Sequence, residues 1–202
     1  MGQLHIEKVF NNNVVLAWDK ANREEAVLVG KGIGFGEKRG NRVREDKAEK
    51  IFYFIDKDKV KQLSRFNEDI IGITEEIISV VAWELKEPLN EHIHVALADH
   101  ISFTLERLET GLEITNPFLE EIKAIYPKEY ELASRAATMI EEKFEVNIPQ
   151  GEKGFIAMHI HSARVNRELS KTVKRTSMIK KMEHIIENEL EIKLDRQNTN
   201  YT

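Results

Sequence analysis

The hydrophobic period of this chain changes near residue 56, and that change dictates a two-part α+β architecture. Before it, residues 4–10 (LHIEKVF), 14–18 (VVLAW), 26–29 (AVLV) and 51–55 (IFYFI) are short β-rich runs separated by polar breaks. Asn11-Asn12-Asn13 joins the first pair, and asparagine tolerates left-handed backbone, so it suits a tight turn. Residues 19–25 form a charged turn, and residues 30–46 a longer loop with five of the ten glycines. The reading is a small antiparallel four-stranded β-sheet. A sheet of about 55 residues is marginal alone by surface-to-volume scaling, so dimerisation or docking is expected to support it.

After residue 56 the apolar residues recur at helical spacing. In residues 91–109, Ile93, Ala96, Leu97, Ile101, Thr104, Leu105 and Leu108 lie on one stripe, with Asn90 as N-cap before it and Gly111 after. Asn116-Pro117 carries start signals for another helix, Pro127 opens a segment to residue 146, and Pro149 precedes one over 151–167. Earlier helices are predicted over 58–67 and 74–86. The polar run 171–177 (KTVKRTS) reads as a linker. Residues 178–194 then form one more amphipathic helix, whose stripe (Met178, Met182, Ile185, Ile186, Leu190) has no core of its own. The expected divisions are a sheet domain at 1–56, an all-α helical bundle at 62–170, and a linker with an extra helix at 171–202.

Cysteine is absent. That removes disulfide scaffolds, Cys-ligated metal sites and thiol nucleophiles together, and suits a reducing, cytoplasmic address. No run approaches the roughly 18 apolar residues of a membrane span, and the N-terminus lacks a signal-peptide core, so no membrane insertion is expected. The net charge of −5 is unevenly spread: residues 1–55 hold 10 Lys/Arg against 8 Asp/Glu, the rest 20 against 27. A mildly basic head on an acidic body suggests a polyanion-binding module joined to something else, although a solvated loop accounts for the charge equally well.

The run Gly30-Lys31-Gly32-Ile33-Gly34-Phe35-Gly36 invites a nucleotide-binding reading, but the sixth position of GxGxxG is Phe35 or Glu37, and no GxxxxGK[ST] exists. A flexible loop is the plain alternative. What argues for function is the mixture: glycine admits a close ligand, Lys31 meets phosphate, and Phe35 can stack on a base. With no recognition-helix motif, RNA suits it better than DNA.

His92, His94 and His100 share one predicted helix, and His159 and His161 another. Helical residues two apart point about 200° apart, so neither close pair chelates from one face. HExxH is also missing, and no metal is expected. His100 and His159 each sit within an apolar stripe. A satisfied core histidine is the plain reading of each; two in matching contexts point to chemistry, since imidazole accepts a phosphoryl group or acts as a general base. No GxSxG or catalytic carboxylate pair accompanies them, so no catalytic residue or cofactor is assigned, and Asp99 and Glu106 read as solubilising charge.

Lys8, the triplet Asn11–Asn13 and the GKGIGF run resemble the co-antiterminator RNA-binding domain of the BglG/SacY antiterminators. NEHIHVALADHISF (90–103), NPFLEEIKAIYP (116–127) and GFIAMHIHSA (154–163) are similar to the first phosphotransferase-regulated domain (PRD) of the same proteins, most closely the glucose-operon type. The resemblance spans residues 3–170. It implies a homodimer whose sheets bind an RNA hairpin in a leader transcript and so prevent the overlapping terminator from forming. RNA contacts would come from Lys8, Asn11, Asn13, Gly30, Lys31 and Phe35; many relatives carry Arg where this chain has Lys31, which keeps the charge but loses the bidentate fork. Phosphorylation would fall on His100 and His159, donated by a sugar (glucose) phosphotransferase permease and by HPr, with His92, His94 and His161 supporting. In full-length relatives a second regulatory domain follows, and residues 178–202 resemble only its opening helix. A different class of function remains open on the residues alone: a phosphocarrier or enzyme using His100 chemically, with the basic head as an interaction module.

Overall fold

Strands β1 (Leu4–Asn11), β2 (Val14–Asp19), β3 (Glu24–Val29) and β4 (Lys50–Tyr53) form an antiparallel meander in sequence order. The computed structural model describes residues 4–54, 62–63, 65–165 and 169–194. The four predicted strands are therefore present within two residues at each described end; predicted residue 55 lies outside the described residues. β2 and β3 are apolar without alternation because both of their faces are covered. One face places Val14, Leu16, Val27 and Val29 in a cluster with Phe10, Phe54, Ile71 and Ala98. The other places Val15, Ala17, Ala26 and Leu28 against Leu4, Ile6 and the loop residues Ile33 and Val43.

The turn between β1 and β2 is tight, but not by the route its asparagines suggested. Neither Asn12 nor Asn13 has positive φ. Instead Asn11 Oδ1 accepts from the Asn13 backbone N–H at 2.7 Å, and register shifts interrupt the ladder between Ile6 and Lys8 and between Val9 and Asn11. A side chain mimicking a backbone turn replaces the left-handed conformation.

Helix α1 (Glu68–Leu85) starts six residues earlier than its periodicity predicts. Asn67 caps it, its side chain accepting from Asp69 N–H at 2.8 Å, and Glu68 and Asp69 complement the dipole of the first turn. Half of the helix predicted over 58–67 (residues 58–61 and 64) lies outside the described residues; of the rest, 62–63 are helical and 65–67 are not. Helix α2 (His92–Glu109) follows. The first of two units comprises Met1–Glu87 with Glu91–Phe103, so the sheet, α1 and the start of α2 belong together. Docking of α1 and α2 is what covers the first sheet face, through Ile71 and Ala98.

The second unit comprises Pro88–Asn90 with Thr104–Thr202. It holds α3 (Leu119–Ile125), α4 (Pro127–Phe144), α5 (Gln150–Arg164) and α6 (Leu169–Leu190). The linker predicted at 171–177 is helical: α6 runs through it. Thr172 and Thr176, one turn apart, are buried, and the Ser162 and Thr172 hydroxyls lie 2.8 Å apart. The two threonines face α5, and that packing overrides their weak helix propensity. Lys180 reaches the buried Glu121 at 3.3 Å and also donates to the Pro117 carbonyl. Further along, Met178, Met182, Ile185 and Leu190 remain more than half exposed, so the expected unpartnered stripe is present on a helix anchored by its first half.

Carboxylates stitch the second unit. Glu152, buried, accepts from Arg107 at 2.9 Å and from the Thr104 hydroxyl at 3.1 Å. Glu129, also buried, takes His161 Nδ1 at 2.9 Å and Arg164 at 2.8 Å. Burial pushes the Glu129 carboxyl up, but the His161 hydrogen bond and the Arg164 charge outweigh it and hold the group below the usual range. Asp19 behaves alike: desolvation raises it, while the Ala21 and Asn22 amides and the Tyr53 and Asn22 side chains hold it low. A carboxylate depressed in the folded state contributes stability that is present above its unfolded value and is lost as pH falls through the folded one. We therefore expect the melting temperature to fall steeply below about pH 4.5. Glu129→Gln should be less stable at pH 7, with a shallower acid slope in calorimetric scans; an unchanged slope would remove Glu129 from this account.

Candidate nucleic-acid interface and regulatory histidines

The asparagine turn and the glycine loop form one hydrogen-bonded structure. Gly30 N–H donates to the Asn13 carbonyl at 2.9 Å, Gly34 N–H to the Asn12 carbonyl at 2.9 Å, and Gly32 N–H to Asn13 Oδ1 at 3.0 Å. Lys47 Nζ closes the other side on the Gly32 carbonyl at 2.9 Å, and Ile33 is buried beneath. The loop is thus fixed rather than floppy. Its glycine at position 30 is demanded by the fold, because a Cβ there would overlap the Lys47 carbonyl.

On this platform Phe35 is 71% exposed, which no packing requirement explains. Lys31, four residues earlier in the same loop, is exposed, its backbone N–H held by Glu49 Oε1 at 3.2 Å. A rigid loop presenting one aromatic face and one ammonium group can stack a base and neutralise a phosphate without paying to order itself. Asn13 is less free than a turn residue usually is. Its side-chain Oδ1 holds Gly32, its backbone N–H is held by Asn11, and its side-chain amide donates to Glu76 Oε1 at 3.2 Å. Asn11 donates to the same oxygen at 3.0 Å. Lys8 pairs with Glu68 at 3.1 Å and lies 5.6 Å from the Phe10 ring centroid. The structure therefore gathers Asn11, Asn13, Gly30, Lys31 and Phe35 around one turn and loop, and adds Glu76, which sequence reading missed. The basic run 38–44 contributes Arg39, paired to Glu7, and Arg44, paired to Asp46; both pairs are exposed and leave the local charge largely available.

The histidines divide by environment. His100, on α2, is half-buried, and His159, on α5, is 8% exposed. His94 is a core residue: its Nδ1 lies 2.8 Å from both oxygens of Glu75, which has no exposed surface. The rings of Phe52 and Phe54 meet it edge-on, centroids 5.0 and 4.9 Å away. His161 stacks on Tyr126 at 4.0 Å, with Glu129 on its Nδ1. Among the described residues no group of three or more His, Cys, Asp or Glu is arranged to hold a metal ion, and no helix is long and apolar enough to cross a membrane.

Comparison with known proteins supplies the lineage. Residues 4–61 match the CAT RNA binding domain and residues 75–163 the PRD domain. The chain is 33% identical over 202 residues to Transcription antiterminator LicT of Bacillus subtilis (strain 168), covering 98% of this chain and 73% of that protein. It is 37% identical over 204 residues to the PtsGHI operon antiterminator of the same organism, covering 99% and 72%. The crystal structure of GlcT CAT-PRDI superposes with a TM-score of 0.68 at 42% identity, covering 81% of this chain and 99% of that one. These relatives are named as regulators of transcription, which disfavours the phosphocarrier or enzyme reading of His100. A CAT RNA binding domain, a PRD domain, and 33–37% identity to antiterminators across nearly all of this chain and about 72–73% of theirs place it in one lineage: it belongs to the BglG/SacY family of transcriptional antiterminators, glucose-operon type.

Proposed function

We propose that this antiterminator works in the cytoplasm as a homodimer whose paired sheets grip one hairpin of a leader transcript, through Lys8, Asn11, Asn13, Gly30, Lys31 and Phe35. The exposed Phe35 on a hydrogen-bonded loop is the observation that carries this reading. Binding holds the RNA in a form that excludes the overlapping terminator. The role is regulatory and needs no catalytic residue or cofactor. Residues 62–170 serve as the first regulatory domain and the end of the chain as the start of a second, with α6 anchored on the first.

Control runs through His100 and His159, phosphorylated by a sugar permease of the phosphotransferase system, glucose by family type, and by HPr. A phosphoryl group adds about −1.5 to −2 charges near neutral pH, and a half-buried or buried imidazole cannot solvate that charge in place. Arg107 and Arg164, which could otherwise capture a phosphoryl group, are already held by Glu152 and Glu129. The modification therefore loosens the dimer and switches antitermination off when sugar is scarce. In a terminator–reporter assay beside analytical ultracentrifugation, His100→Asp is expected to lower both read-through and dimer population, whereas His100→Ala stays active without sugar. A fully active, dimeric His100→Asp with a dead His100→Ala would reverse the assigned sign.

A further inference from the structure

The side-chain amides of Asn11 and Asn13 converge on a single atom, Glu76 Oε1, at 3.0 and 3.2 Å. Their carbonyl ends are spent on the turn and the glycine loop, Asn11 Oδ1 on the Asn13 backbone N–H and Asn13 Oδ1 on the Gly32 N–H. Both amides are thereby locked with their N–H groups turned the same way. Two fixed donors aimed at one point make a site for an anionic oxygen, since donation to a charged acceptor is stronger than to a neutral one. In this structure a carboxylate occupies it.

The approach is close by design of the sequence. At Gly72, one turn before Glu76, a Cβ would run into the Asn11 amide, so a side chain there would hold α1 off the turn. Eight residues before Glu76, and about 12 Å along the helix axis, Glu68 meets the ammonium of Lys8. One helix thus engages three of the six residues assigned to RNA. Phe35, 71% exposed, stays outside its reach.

We infer that α1 carries a built-in competitor for RNA: the Glu76 carboxylate, seconded by Glu68, occupies the donors that a phosphate oxygen of the RNA backbone takes, so these carboxylate contacts and full RNA engagement exclude one another. This rests on the RNA-binding role of the sheet proposed above. Competition of this kind reduces the apparent affinity by the fraction of molecules in which the donors are uncovered. Anything that turns the Glu76 carboxylate off the two amides then acts as an activator, while α1 stays packed on the sheet through Ile71.

The test uses the full chain and a fluorescent hairpin transcribed from the leader of the phosphotransferase permease operon it is proposed to control, titrated by anisotropy at fixed salt. Glu76→Gln keeps the shape and removes the charge, and is expected to tighten binding about tenfold. Glu76→Ala, which removes the acceptor altogether, should tighten it at least as much, and Glu68→Gln less, because that pair is exposed to solvent. Side-chain amide NMR signals of Asn11 and Asn13 should shift on RNA addition, and Glu76→Gln should move the same signals without RNA. If the wild type binds and Phe35→Ala weakens it, but Glu76→Gln and Glu76→Ala bind no more tightly, the competitor role is wrong while the RNA-binding role stands; weaker binding in both would make Glu76 a residue that positions the asparagines. If no form binds the hairpin above a scrambled control, the RNA-binding role falls, and the competitor role with it.

Discussion

Replacing His94 by alanine is expected to lower the melting temperature by on the order of 10 °C, the largest stability effect of any single side chain discussed above. Glu75 and His94 are both buried, and Nδ1 meets each carboxylate oxygen at 2.8 Å. Deleting one partner leaves a buried polar or charged group unanswered, which costs roughly 3–5 kcal/mol. The imidazole also fills the space between Phe52 and Phe54, so alanine removes two edge-on aromatic contacts as well. The pair ties the last strand of the sheet to α1 and α2, and its loss should therefore loosen the first unit as a whole. Glu75→Leu combined with His94→Leu should recover much of the deficit, because a buried pair replaced by apolar groups of similar volume is often neutral. Equal melting temperatures for His94→Ala and the wild type would show that the pair contributes nothing.

Phe35→Ala is expected to weaken hairpin binding by about 5- to 140-fold, from a stacking contribution of roughly 1–3 kcal/mol. The ring is 71% exposed on a loop whose shape is set by the Asn12 and Asn13 carbonyls, the Asn13 side chain and Lys47, so its removal should leave the melting temperature unchanged. Asn13→Ala is a poorer probe of the same interface. It frees Gly32 N–H and removes one of the two donors to Glu76, so any loss of binding would mix recognition with loop disorder. Salt dependence separates the two kinds of contact: Phe35→Ala should keep the wild-type slope of log affinity against log salt, while Lys31→Ala should reduce it by about one. A Phe35→Ala protein with wild-type affinity at matched salt would take the ring out of the interface.

Much of this was legible in the sequence, and the misses share a cause. The strands were readable because β-branched runs between polar breaks leave few alternatives, and residues 91–109 because their stripe is continuous. The start of α1 was missed because Gly72 resembles a break, whereas it admits Asn11. The run 171–177 looked like a linker because its threonines are polar, yet Thr172 and Thr176 sit one turn apart on the face turned to α5. Charge in the helices was read as solubility. That holds for the exposed Asp99 and Glu106, but not for Glu75, Glu129 or Glu152. A signal was present in each case: Glu75 falls in register with Ile71, Ile78 and Ala82, Glu129 with Leu132, Ala136 and Ile140, Glu152 with Ile156, His159 and Ala163. A carboxylate on the apolar register of a helix implies a cation or imidazole opposite, and only the tertiary structure says which. Glu76 carries no such mark, since its partners are turn residues more than sixty positions away.

The central claim, that a folded sheet and loop keep RNA polymerase from stopping, is tested most directly by single-round transcription in vitro on a template carrying the leader and its terminator. Added wild-type protein should raise the fraction of transcripts that pass the terminator, and Phe35→Ala at the same concentration should leave that fraction at the protein-free level. Read-through that does not respond to folded wild-type protein, or that rises equally with Phe35→Ala, would contradict the account.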